Sequence, residues 1–171
     1  MCESLGYEKV NLLGSSGGAL AAINVALERP DLVKKVIADS FEGEKSVPEF
    51  AENVIEERAT SKVDEGAIQF WNYMHGDDWS IVVDLDTDVV VRHHKEVGRF
   101  FHKSVSELAV PILLIGTMED EYCPLIEEIY RSMSNRITNS RMHLFDSGGH
   151  PAVITNADEF SVIAKEFLAQ P

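Results

Sequence analysis

Gly14-Ser15-Ser16-Gly17-Gly18 is the stretch that decides the fold, because of what flanks it on either side. Before it, Val10-Asn11-Leu12-Leu13 is a short apolar run that reads as a buried strand stopping at a glycine. After it, Ala19, Ala21, Ala22 and Ala26, with Leu20, Ile23 and Leu27 supplying bulk, give helical spacing from Gly18 to Glu28. Pro30 stands just past that helix end, where it cannot continue the helix. Val36-Ile37-Ala38 reads as a second strand that stops at Asp39-Ser40. Strand, tight glycine turn, helix, strand is the grammar of a parallel βαβ unit.

The turn itself fits G-x-S-x-G centred on Ser16, with the strand-then-helix context that the chemistry demands. A serine on so sharp a turn stands out above the sheet edge, and small neighbours are expected where the backbone is crowded. The helix N-terminus beneath it favours developing negative charge, and the Gly17 N–H would be one oxyanion-hole donor. Ser15 is the weaker nucleophile, since centring the motif on it puts Leu13 at the first glycine. A phosphate-binding loop is excluded, because neither a Lys-Ser/Thr pair nor G-x-G-x-x-G is present at this turn.

Two further strand ends carry chemistry. Pro111 introduces Ile112-Leu113-Leu114-Ile115, an apolar strand closed by Gly116, and Gly116-Thr117-Met118-Glu119-Asp120-Glu121-Tyr122-Cys123-Pro124 follows. A carboxylate there can orient a histidine and stabilise its imidazolium, although three adjacent acids also suit a solvated turn. A helix is expected from about Pro124 to Met133, then a strand at Met142-His143-Leu144-Phe145 and a closing amphipathic helix from Ala157 to Ala169. Between strand and helix lies Ser147-Gly148-Gly149-His150-Pro151, where His150 can serve as general base. His75, His93, His94, His102 and His143 lack such placement and read as surface or core residues.

From Ser46 to Leu108 the composition turns acidic and helical. Ser46-Val47-Pro48-Glu49 resembles a helix start with a capping serine and an early proline. Asp64 opens a second helix with Ala67, Ile68, Trp71 and Met74 on one face, before Gly76. The segment from Ile81 to Val97 carries Val89-Val90-Val91, which favours a strand, but Leu85, Val89 and Val97 tolerate a helix, and we assign helix. Asp84-x-Asp86-x-Asp88 fails as a calcium loop, since Val89 replaces the needed glycine and Lys95 the bidentate glutamate. His93 and His94 diverge by about 100° on a helix and cannot chelate one zinc. No metal or cofactor is expected.

Taken together, serine, acid and histidine in that order, each at the end of a predicted parallel strand, resemble the α/β-hydrolase superfamily. The likeness is greatest to small capped esterases of the valacyclovir-hydrolase type and covers most of the chain. It implies an α/β core of mostly parallel sheet flanked by helices, formed by 1–45 and 109–171, with a helical lid insertion at 46–108. It implies Ser16 as nucleophile, His150 as base and Asp120 as orienting acid. Asp120 stands four residues before Pro124, as in the family's D-x-x-x-P turns, and Glu119 is the alternative because the spacing from Gly116 is one residue long. Phe70, Trp71 and Trp79 become pocket walls, with ordinary helix packing as the competing explanation, and Ser15 and Phe41 join them as expected substrate contacts. The reaction implied is cleavage of a small carboxylic ester, or an amide or lactone, through an acyl-enzyme. The alternative is a non-catalytic hydrolase-like module acting through binding or oligomerisation.

The family has several strands before the serine-bearing one, and a loop supplying a second oxyanion donor, whereas this sequence starts almost directly on that strand. An incomplete core is therefore expected, with one edge of the Val10–Leu13 strand open and a homo-oligomer formed across it. The formal net charge of −14, from 15 basic and 29 acidic residues, argues against nucleic acid as a partner. No apolar run approaches the ~20 residues that cross a bilayer, so no membrane partner is expected. Two cysteines, Cys2 and Cys123, make no disulfide framework, and the N-terminus lacks the pattern of a signal peptide. A cytoplasmic location follows from these features.

Overall fold

The computed structural model describes residues 2–170, apart from the Glu3 side chain. The chain divides into two compact units, 1–45 with 100–171 and 46–99.

The first unit holds four strands, β1 (Val10–Ser15), β2 (Val33–Asp39), β3 (Ile112–Thr117) and β4 (Ser140–Phe145), in the spatial order of the sequence. All three pairings are parallel. The helices of this unit are α1 (Gly17–Glu28), α5 (Ile126–Ser134), α6 (Ala152–Thr155) and α7 (Ala157–Ala169). Register shows which face each covers. Gly14 pairs with Ala38 and Ala38 with Leu114, so these residues and Gly116 share one face. A Cβ on Gly14 would meet the start of α1, and one on Gly116 would meet Ile126 and Tyr130 of α5, so α1 and α5 lie there. The opposite face carries Ile37, Leu113 and Ile115, which pack with Phe160, Ile163, Ala164 and Phe167 of α7. Covered on both faces, β3 is buried along its whole length, as parallel strands between helix layers are.

β1 and β4 are the sheet edges. Leu13 of β1 lies on the sheet face it shares with Ile37 and is 54% exposed there, although the residue reads as core from its place in an apolar run. Lys35 of β2 is buried, and its ammonium donates to the carbonyls of Phe167 (3.0 Å), Leu168 (3.3 Å) and Gln170 at the end of α7. A cation there satisfies carbonyls that a helix end leaves without intrahelical donors.

The second unit is three helices, α2 (Pro48–Ser61), α3 (Glu65–His75) and α4 (Trp79–Glu96). It ends at Arg99, short of the expected Leu108. Phe101, Val105 and Leu108 are instead buried apolar residues of the sheet-bearing unit. Asp64 caps α3 by accepting the Ala67 N–H at 2.9 Å. Ser46 does not cap α2. Val47 holds that place without a side-chain bond, Pro48 supplies the preset first turn, and the Ser46 hydroxyl pairs with His94 Nδ1 at 3.0 Å. The Val89-Val90-Val91 run is helical. Two of the aspartates before it pair with α2, Asp86 with Arg58 at 2.6 Å and Asp84 with Lys62, which ties α4 along that helix. Among the described residues, no helix is long and apolar enough to cross a membrane.

Candidate active site

The C-terminal ends of the strands line up, since Ser15 pairs with Asp39, Asp39 with Ile115 and Thr117 with Phe145. The residues that follow β1, β3 and β4 therefore leave the sheet along one edge, where open α/β sheets bind ligands.

After β1 the chain turns at Ser16, whose φ of 53° and ψ of −125° lie in a region that non-glycine residues rarely occupy. The turn is closed by the Ser16 N–H, which donates to the Asp39 carbonyl at 2.8 Å. Crowding is real at one glycine only. A Cβ on Gly14 would lie 2.1 Å from the Gly18 carbonyl oxygen, whereas Gly17 and Gly18 have nothing within 4 Å. The exposed Gly17 backbone opens α1 directly after Ser16.

After β3 the three acids divide their work on the loop that follows β4. Asp120, fully buried at its side chain, accepts from His150 Nδ1 at 2.9 and 3.1 Å. Glu119 accepts the Gly148 N–H at 3.2 Å, and Glu121 the His150 N–H at 2.9 Å. Asp120, not Glu119, is thus the carboxylate that meets the imidazole, while the exposed Glu119 and Glu121 hold the backbone of the loop at Gly148 and at His150. Thr117 adds a hydroxyl bond to the Gly148 carbonyl. With Nδ1–H committed to Asp120, Nε2 is the acceptor, a tautomer assigned by the network. Tyr122 sets its ring edge against the imidazole, with centroids 5.0 Å apart.

Asp120 also accepts the N–H groups of Tyr122 and Cys123, both at 3.0 Å. Burial pushes the Cys123 thiol well up, and the Asp120 and Glu42 carboxylates push it the same way, so it stays a neutral thiol. Asp120, Cys123 and His150 present ligand atoms within 4.8 Å of one another, a set able to hold a soft cation. Here the imidazole N–H is already spent on the carboxylate.

No hydrogen bond joins Ser16 Oγ to His150 among the described residues; the histidine's side-chain bonds go to Asp120. The expected substrate contacts fare differently. Phe41 is a correction: it is 1% exposed, its ring packs on Tyr130 at 4.9 Å and its N–H donates to the Tyr130 hydroxyl, so it serves the core. Ser15 donates its hydroxyl to Asp39 at 2.8 Å. In the helical unit Phe70 is exposed, Trp71 stacks on Trp79 with centroids 5.5 Å apart, and Trp71 lines a cavity of about 300 Å³ with Arg58, His75, Val82, Val83 and Asp86. Sequence reading missed Glu121, Tyr122 and Cys123, for which adjacency to Asp120 is the signal, and Asp39, signalled by its place at a strand end.

No family model matches the chain. It is 24% identical over 173 residues to serine hydrolase BPHL of Homo sapiens, a match covering 98% of this chain and 57% of that protein. The Mus musculus counterpart is 23% identical over the same extent. The chain thus spans a little over half the length of these curated relatives. Among solved structures it resembles a meta-cleavage product hydrolase from Pseudomonas fluorescens IP01, with a TM-score of 0.69 at 18% identity, covering 98% of this chain and 67% of that one. It also resembles the enol-lactonase from Burkholderia xenovorans LB400, with a TM-score of 0.66 at 19% identity, covering 99% and 69%. An alpha/beta hydrolase enzyme from a Medee basin deep-sea metagenome library gives 0.69 at 20% identity, covering 99% and 68%. The chain has the α/β-hydrolase fold over the part it spans.

Proposed function

We propose that this chain is a serine hydrolase that cleaves a small carboxylic ester, or a related lactone or amide, through an acyl-enzyme on Ser16. In this reading His150 Nε2 takes the proton of Ser16 Oγ as the oxygen attacks the substrate carbonyl. Asp120 keeps the ring in the needed tautomer and stabilises the imidazolium. The Gly17 N–H, at the N-terminus of α1, faces the developing oxyanion. The imidazolium returns its proton to the leaving alcohol, and water, deprotonated by the same nitrogen, releases the acid. The approach of Nε2 to Oγ is commonly long in unliganded hydrolases and tightens with substrate.

The observation that carries this reading is the buried Asp120–His150 pair at the same sheet edge as the strained serine turn. The hydrolase relatives favour the same chemistry. Incubation with a fluorophosphonate probe tests it: wild type should be labelled and Ser16→Ala should not, while equal labelling sinks the proposal. The insertion around Ser46–Arg99 is assigned the role of a lid, with Phe70, Trp71 and Trp79 as selectors of substrate. A change in acyl-chain preference on Trp71→Ala is the expected result. A cytoplasmic location fits two free cysteines.

A second reading rests on the open edge of β1 and its exposed Leu13. There the unit acts by self-association and not by turnover. Hydrolysis of p-nitrophenyl acetate that His150→Ala abolishes counts against it, and a monomer in analytical ultracentrifugation removes its basis.

A further inference from the structure

We propose that Asp39 is a positioning residue of the site, a buried carboxyl that holds the serine turn and the chain leaving His150 at one fixed separation. This deepens the hydrolase reading and rests on it.

Asp39 ends β2 and is fully buried, yet neither the proton transfer nor the Asp120–His150 pair uses it. Its side chain is bonded on two sides. Oδ2 accepts the Ser15 hydroxyl at 2.8 Å, from the residue before the nucleophile, and the Val153 N–H at 3.3 Å, from the helix just after His150. Oδ1 accepts the Ser40 hydroxyl at 3.1 Å. Ser40 in turn accepts the Ala152 N–H at 3.0 Å, and it reaches there from a φ of 49°, a second non-glycine residue in left-handed backbone. The carbonyl of Asp39 takes the Ser16 N–H. One dipeptide, Asp39-Ser40, thus binds Ser15 and Ser16 on one side and Ala152 and Val153 on the other. Two loops that must meet within a fraction of an ångström are joined through it, not through each other.

A buried carboxylate is an expensive clamp, and an apolar residue at a strand end would pack at less cost. Its charge gives it a second consequence. Burial pushes the Asp39 carboxyl above its ordinary range, while the Ser15 hydroxyl, the Val153 N–H, the Ser40 hydroxyl and the charge of His150 draw it back. When ionised, it is an anion acting on the imidazolium from β2. Asp120 meets that ring at Nδ1 and Tyr122 sets its ring edge against it, both from the loop after β3.

The experiment compares wild type, Asp39→Asn and Ser15→Ala by steady-state kinetics of p-nitrophenyl acetate hydrolysis and by amide hydrogen exchange at Ser16 and Val153. For Asp39→Asn we expect kcat lowered about 10- to 100-fold with KM within about twofold, and faster exchange at both amides. Ser15→Ala removes one bond of the clamp and should lower kcat less. An Asn variant with wild-type kcat and wild-type exchange at Ser16 and Val153 overturns the proposal, even if its melting temperature falls. Absence of Ser16 labelling in wild type would instead overturn the hydrolase reading, and the exchange at Ser16 and Val153 would still decide the role of Asp39.

Discussion

The sheet-bearing unit and the helical unit spend their apolar residues in opposite ways. In the first, every residue of β3 is buried, and α7 sets four core residues against the sheet. In the second, α3 has no buried residue and α2 and α4 together bury only Ala51, Val54 and Val83, while Phe70, Tyr73, Met74, Ile81, Leu85 and Val89 stay exposed. Its helices are joined by ion pairs, a stacked tryptophan pair and caps. The unit that carries Ser16, Asp120 and His150 is the one whose positions are fixed by close packing, where side chains interdigitate and transmit strain. The helical unit holds its shape with contacts that yield more readily.

Four measurements would break or sharpen that contrast. The largest effect is expected at Gly14, where Ala would drive a Cβ into the backbone of α1. Gly14→Ala should lose more than about 4 kcal/mol in urea denaturation or fail to fold, while Gly18→Ala, with open space around it, should be neutral or slightly stabilising. Next comes the core: Leu114→Ala should cost about 2–5 kcal/mol, and Phe70→Ala under about 0.5 kcal/mol. Equal costs would mean that the two units are packed alike. Third, Asp86→Asn in the helical unit removes a half-exposed ion pair and should cost at most about 1 kcal/mol, less at high salt. The smallest effect is a pH dependence. Asp39 has a raised pKa when folded, so the unfolded chain releases that proton first and stability falls as pH rises from 3.8 through the folded value. The melting temperature of Asp39→Asn relative to wild type should therefore rise across that window; a flat difference would contradict the shift.

The regular elements were legible because period and punctuation agree. Gly14, Gly116 and Pro111 bound strands whose neighbours are apolar without interruption, and Asp64 caps the helix that it was expected to open. The Val89 run shows propensity overridden: three β-branched residues stay helical in an element tied by Asp84 and Asp86 to α2. At the site, single residues at strand ends could be named, but not their division of labour. Whether Glu119, Asp120 or Glu121 meets the imidazole depends on how two loops are phased, and one residue of phase exchanges a ring contact for a backbone one. Phe41 was misread for a related reason. Its place just past a strand end suits a pocket wall, but its ring is claimed by Tyr130, nearly ninety positions away along the chain. Asp39 is not legible in the sequence, because an acid at a strand end is ordinary until its partners, Ser15 and Val153, are known.

Lys35 has a consequence for anyone who shortens or extends this protein. Most chain ends tolerate trimming, because their backbone is solvated and little rests on it. Here the carbonyls of Phe167, Leu168 and Gln170 are the receptors for an ammonium in the middle of the sheet-bearing unit. Deleting the last turn of α7 would remove the buried ring of Phe167 and also leave a cation stranded in the interior. A deletion beginning at Phe167 should behave like a core mutation.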